Sequence, residues 1–173
     1  MKKKILIIID MQNDFITGSL ANKDAEAIVE PICKYISKFK SDIYYTQDTH
    51  DYCYLKTHEG KYLPIEHCIV GTTGWCLHDN ISRALHGSGH GVRKYTFGYD
   101  GWEHFLDIHN TKEYEIEICG TCTDICVISN ALILKALYSN VKITVLKDLC
   151  AGTTKEHHEQ ALEIMRQCQI EVK

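Results

Sequence analysis

Only 2 Pro and 11 Gly occur among 173 residues, which leaves little room for linkers or low-complexity tracts and excludes disorder as the main state. Charge of one sign is also missing. The 19 Lys plus Arg face 23 Asp plus Glu for a formal charge of -4, so no basic field gathers a polyanion and no nucleic-acid partner is expected. No apolar run approaches the roughly 20 residues of a membrane span, so no membrane partner is expected either. The longest early run, Ile5-Leu6-Ile7-Ile8-Ile9, follows three lysines but is cut by Asp10, and reads as a buried strand rather than an export signal. The nine Cys are an odd and scattered set, unlike a secreted disulfide scaffold, and reduced thiols in a cytoplasm fit them better. No internal repeat is evident. One domain spanning residues 1–173 is the expectation from length.

What is present alternates. Strand-length apolar runs recur at residues 5–9, 43–46, 114–119 and 141–146, with a short strand at 91–93. β-branched residues in the first and last suggest strands covered on both faces, hence a parallel sheet. Between them, Ile28, Ile32, Tyr35 and Phe39 repeat at helical spacing, with Pro31 tolerable only in that helix's first turn. Further helices are expected at residues 75–85, at 124–138, which is apolar enough to be packed deep, and at 155–167. Residues 170–172 would add an edge strand. The fold class is therefore α/β, an open doubly wound sheet of parallel strands with helices on both faces.

Ligands of such folds sit beyond the carboxyl ends of the strands. The residues standing there are Asp10, then Asp48 and His50, then Lys94, then Gly120 to Cys126. The turn before the buried helix puts Cys126 in the helix's opening turn, where unpaired N–H groups and the positive dipole end lower a thiol pKa. Those N–H groups also suit an oxyanion. Asp10 can take the thiol proton and pass it to a leaving amine, while Lys94 stabilises the thiolate. A Cys in an apolar helix is more often a small buried hydrophobe, whereas a carboxylate ending a fully apolar strand is hard to explain by packing.

These residues carry a resemblance. Ile7-Ile8-Ile9-Asp10-Met11-Gln12-Asn13-Asp14-Phe15 resembles the opening motif of the isochorismatase-like cysteine hydrolases, and Cys122-Thr123-Asp124-Ile125-Cys126-Val127 resembles their nucleophile turn. Asp48-Thr49-His50 and His67-Cys68-Ile69-Val70-Gly71-Thr72 are similar to two further blocks, in the same order. The resemblance implies six parallel strands in a three-layer Rossmann-type fold and a triad of Cys126, Lys94 and Asp10. It also implies a cis peptide at Thr121–Cys122 that orients one oxyanion N–H. Lys94-Tyr95-Thr96-Phe97-Gly98 is similar to a form found in one branch.

A metal is the second expectation. Asp48 and His50, two apart on an extended strand end, share one side, and His67 can close a third corner. Ten His in the chain place some near carboxylates by chance, as His104 and His157-His158 illustrate. In the nicotinamidase branch the matching Asp and two His hold zinc or a similar ion that meets the substrate's ring nitrogen, and some members add a Glu, for which Glu59 is the candidate. Ligand type leaves zinc, Mn and Fe(II) open. Leu63 stands where that branch usually has an aromatic residue, so stacking on the substrate falls to Phe15, aided by Tyr62. Thr49 stands where Trp is common. Cys122 occupies a position usually held by a small residue, and a Cys122/Cys126 zinc knuckle is weak without a second nearby pair. Trp75 and Trp102 read as core or dimer-contact aromatics.

The expected activity is that of a cytoplasmic, homo-oligomeric amidohydrolase converting a small-molecule carboxamide, first of all nicotinamide, to the acid and ammonia through a thioester. The alternatives are a hydrolase of an N-carbamoyl or ureido compound, or a noncatalytic binding module on the same fold. Vinyl-ether hydrolysis would leave the thiol chemistry without a purpose.

Overall fold

The computed structural model describes residues 2–106, 108 and 113–173. Five apolar residues in succession, Ile5 to Ile9, are almost completely buried, which is possible only for a strand covered on both faces. They form β1 (Lys3–Ile9), and the further strands are β2 (Asp42–Asp48), β3 (His90–Lys94), β4 (Tyr114–Thr121), β5 (Lys142–Ala151) and β6 (Glu171–Val172). All pairings are parallel, in the order β3-β2-β1-β4-β5-β6. The order reverses between β1 and β4, and that switch point opens a crevice beyond their carboxyl ends. Gly120, at the end of β4, has φ +120, and a Cβ there would lie 2.1 Å from the Ile9 carbonyl oxygen. Glycine therefore lets the two central strands stay in contact up to the crevice.

The helices are α1 (Asn13–Ile16), α2 (Lys23–Ala27), α3 (Val29–Lys38), α4 (His58–Tyr62), α5 (Asp79–Leu85), α6 (Trp102–Phe105), α7 (Ile128–Leu137) and α8 (Lys155–Gln167). On α3, Val29, Ile32 and Ile36 face the sheet, and Pro31 sits in the first turn, where its missing N–H costs nothing. Thr154 caps α8, its hydroxyl oxygen accepting from the His157 N–H at 3.0 Å, and Ala161, Leu162 and Met165 point inward. Burying each such large side chain contributes about 1.5–3 kcal/mol before entropy is counted.

Two helices differ from the sequence expectation. The helix expected at 75–85 begins only at Asp79. The Trp75 carbonyl accepts instead from Gln12 Nε2 at 2.8 Å and Gln47 Nε2 at 3.0 Å, and Leu77 pairs with Gln12 in an antiparallel bridge. The helix expected at 124–138 opens with a wide π turn over Thr123–Val127, in which Val127 N donates to the Cys122 carbonyl at 3.0 Å. Regular α geometry starts at Ile128. No helix among the described residues is long and apolar enough to cross a membrane.

Candidate active site

Three buried groups meet at the crevice. Asp10 follows β1 with φ +47 and is fully buried; a non-glycine residue in the left-handed region is strained by roughly 1–3 kcal/mol and persists only when its surroundings fix it. Thr46 of β2 does so, donating its hydroxyl to Asp10 Oδ1 at 2.6 Å and accepting from the Asp10 N–H at 3.1 Å. Oδ2 faces the Lys94 ammonium at 2.8 Å as an ion pair without hydrogen-bond alignment. Lys94, at the end of the edge strand β3, also lies 3.0 Å from Asp48 Oδ1, donates to the Thr96 carbonyl at 3.2 Å, and stands 3.5 Å from Cys126 Sγ. The Thr121–Cys122 peptide ahead of that sulfur is cis.

Burial sets the protonation states. Desolvation pushes the Asp10 carboxyl above its ordinary value against the pull of Lys94. For Lys94, burial favours the neutral amine, but the adjacent Asp10, Cys126 and Asp48 outweigh it and hold the ammonium well above the usual lysine range. Desolvation also drives the Cys126 thiol well above its ordinary value, with Lys94 opposing. This departs from the expectation of a thiol lowered by a helix N-terminus: Cys126 lies in the π turn and is buried, and its desolvation works against the pull of Lys94.

A second cluster adjoins the first. Asp48 Oδ2 lies 3.0 Å from His50 Nε2 and 3.6 Å from His67 Nε2, and one ligand atom from each of the three lies within 4.8 Å of the others. Glu59 Oε1 stands 3.7 Å from His50 Nε2 and 3.8 Å from His67 Nε2. His67 Nδ1 donates to the Ile65 carbonyl at 2.9 Å, so Nε2 is the ring nitrogen that faces Asp48 and Glu59 and is the one available to an ion. Although burial works against ionisation, the neighbouring His50 and His67 imidazoles and the Lys94 ammonium hold the Asp48 carboxylate below its ordinary value. One neutral-capable imidazole lone pair beside an anionic oxygen and a second imidazole is a donor set that fits zinc or a related divalent ion.

Several residues that position this cluster escape sequence reasoning. Gln12 accepts from the Asp48 N–H at 2.7 Å and donates to the Asp48 carbonyl at 2.9 Å. Asp14 Oδ2 accepts at 2.8 Å from the N–H of Cys68, whose φ is +47. A short parallel pairing then sets His50 beside the 67–70 segment, with His50 N donating to the Cys68 carbonyl at 3.0 Å. Tyr54 is buried against both imidazoles, at ring separations of 4.6 and 4.9 Å, and donates its hydroxyl to the Leu63 carbonyl at 2.9 Å. Polar residues just after an all-apolar strand were the available signal for Gln12 and Asp14; nothing local marks Tyr54.

Both clusters open on one cavity of about 490 Å³, whose lining includes Cys126, Cys122, Asp48, His67, Glu59, Phe15 and Leu63. The Phe15 ring stands 5.6 Å from that of His67. Tyr62 is corrected: it is 80% exposed, lies outside the cavity and faces His58, because α4 turns its side chain to solvent. Phe97 and Ile125 form wall that the sequence reading did not assign. Trp102 is buried in the core, whereas Trp75 donates to Thr49 Oγ1 at 3.0 Å and lies under Arg93. His157 and His158 flank the π turn, with His158 Nδ1 2.8 Å from Thr123 Oγ1. His104 lies on α6, away from both clusters.

Comparison with known proteins gives a consistent picture. A family model described as the isochorismatase domain matches residues 4–173. The nicotinamidase/pyrazinamidase of Mycobacterium tuberculosis is 28% identical over 187 residues, covering 98% of this chain and 97% of that protein. A crystal structure of nicotinamidase/pyrazinamidase from Bacillus subtilis superposes with a TM-score of 0.85 at 26% identity, covering 98% of both chains. The pyrazinamidase of Pyrococcus horikoshii in complex with zinc gives a TM-score of 0.78 at 25% identity, over 99% of this chain and 98% of that one.

Proposed function

The chain belongs to the isochorismatase family, and from that membership we propose that it is a cysteine-dependent amidohydrolase whose leading substrate is nicotinamide, released as nicotinate and ammonia. Relatives named as nicotinamidases support the amide class. The observation that carries the reading is the Lys94 ammonium, which touches Asp10 Oδ2 at 2.8 Å and Cys126 Sγ at 3.5 Å beside the cavity.

In this reading the Cys126 sulfur attacks the carboxamide carbon as its proton passes to Asp10. Lys94 steadies the thiolate while the carbon–sulfur bond forms and the carbonyl electrons move to oxygen. Backbone N–H groups at Cys122 and Cys126 hold that oxyanion. Asp10 then gives its proton to the nitrogen, the carbon–nitrogen bond breaks, and ammonia leaves a thioester. Water, losing a proton to Asp10, cleaves the thioester and restores the thiol. The raised Asp10 pKa suits a group that must both take and return a proton.

Asp48, His50 and His67, with Glu59 near, are the residues that would hold a divalent ion, zinc foremost. Such an ion supplies Lewis acidity and a charge that orients the substrate's ring. Phe15 offers an apolar face for that ring, and Leu63 closes the same wall.

Ammonia release from nicotinamide, with a ureido amide assayed in parallel, tests the proposal. Turnover on nicotinamide that disappears in Cys126→Ala is expected. Turnover confined to the ureido amide, or binding of nicotinamide without turnover, overturns the substrate or the catalytic reading respectively.

A further inference from the structure

Asn130 lies on α7 one turn past Cys126 and is completely buried. Its amide nitrogen donates to the Cys126 carbonyl at 2.7 Å and to the Phe97 carbonyl at 3.2 Å. Its amide oxygen accepts from Trp102 Nε1 at 2.8 Å and from the Tyr99 N–H at 3.0 Å. A carboxamide has two N–H protons and two lone pairs, and all are used here. Chemistry fixes the orientation, because a flip would aim protons at two donors and oxygen at two carbonyls. Near isosteres do not replace it: Asp has no proton to give, Ser reaches one partner, and Leu reaches none.

The partners belong to two separate pieces of the site. Cys126 carries the sulfur. Phe97 is cavity wall, and the residue before it supplies the Thr96 carbonyl that accepts from Lys94 at 3.2 Å. The loop rests closely on α7, since a Cβ on Gly98 would lie 2.4 Å from Ile133 Cδ1. A buried side chain serving only the core needs no polar head. This one ties the backbone of the sulfur-bearing residue to the segment that carries both the cation and a wall.

We infer that Asn130 is a positioning residue of the reaction: it fixes residues 94–98 against the Cys126 carbonyl and so sets both the Lys94-to-Cys126 separation and the cavity width between Phe97 and Cys126. The inference rests on the reading of Cys126 as nucleophile. Displacing catalytic groups by about 1 Å costs on the order of 100-fold in rate, so a clamp of this kind is read out kinetically as well as in stability.

Three variants, Asn130→Asp, Asn130→Ser and Leu134→Ala, decide it, the last being a buried α7 control that does not line the cavity. Two measurements are made at a temperature where each is folded: kcat and KM on nicotinamide, and the rate of Cys126 alkylation by iodoacetamide without substrate, followed by peptide mass. Asn130→Asp is expected to slow kcat and alkylation by about 10- to 100-fold. In Asn130→Ser the hydroxyl still donates to the Cys126 carbonyl one turn back, but the loop is released, so KM rises about tenfold while kcat and alkylation also slow by about tenfold. Leu134→Ala lowers Tm and leaves both readouts at wild-type values. If both Asn130 variants behave as Leu134→Ala does, the clamp is overturned, and if Asn130→Asp does not fold, the KM of Asn130→Ser decides. A wild-type protein that releases no ammonia from nicotinamide counts against the amidase reading alone, because the alkylation rates still judge the clamp.

Discussion

Asp48 turns its two oxygens to different partners: Oδ1 lies 3.0 Å from the Lys94 ammonium, and Oδ2 lies 3.0 Å from His50 Nε2. One carboxylate therefore joins the sulfur-bearing cluster to the imidazole cluster. It is also why neither can be altered without touching the other's electrostatics.

The imidazole cluster is expected to bind a divalent ion. Dialysis against zinc followed by elemental analysis should give about one ion per chain in the wild type, while Asp48→Ala and His67→Ala each lower the affinity by more than about 100-fold. Equal zinc retention by wild type and both variants would remove these residues from the site. Chelation of the wild type is expected to abolish ammonia release and to restore it on adding zinc back.

Cys126→Ser and Cys126→Ala should each lose more than about 1,000-fold in kcat/KM while changing the urea midpoint little, because the side chain is small and the Lys94 ammonium that meets its sulfur keeps Asp10 and Asp48 as partners. Residual activity within tenfold of wild type would mean that another group performs the attack.

Lys94 is a fully buried cation between two carboxylates. Lys94→Met strands Asp10 and Asp48 together and should cost about 3–5 kcal/mol in urea unfolding. Lys94→Met combined with Asp10→Asn should recover part of that loss, since an uncompensated charge is gone. A double variant no more stable than Lys94→Met would show that the penalty comes from packing.

Substrate contacts separate by exposure. Phe15→Ala removes an apolar face of the cavity and is expected to raise KM for nicotinamide by roughly tenfold, about 1–2 kcal/mol of uniform binding. Tyr62→Ala, at a side chain outside the cavity, is expected to leave KM unchanged. The reverse pattern would place the ring elsewhere.

Alkali should expose the buried thiols. Burial pushes Cys122 up from 9.0 to about 11 and Cys150 from 9.0 to about 12. The unfolded chain loses these protons first, so their contribution to stability is whole below pH 9 and is lost as pH rises through 11 and 12. Urea midpoints should fall across that window, and Cys150→Ala should flatten the fall. An unchanged slope in the variant would assign the alkaline loss to other groups.

The sequence makes Asp10 legible because an acid ending an all-apolar strand has no packing reason to be there. Strands and α8 are equally plain, since their patterns are local. The distances that matter are not. The start of α5 depends on Gln12 and Gln47 side chains that claim the Trp75 carbonyl from far along the chain. The raised Cys126 pKa follows from enclosure, which a motif does not display. Tyr62 and Phe97 show the same: one faces water from α4, and the other stands at the wall with its carbonyl held by Asn130.

The strand that delivers the lysine is the outermost on its side and only five residues long. A molecule whose central strands are formed but whose β3 margin has frayed therefore holds its sulfur and acid in place without the amine between them. On the proposed mechanism such a species is chemically idle, because its thiol lacks the neighbouring cation.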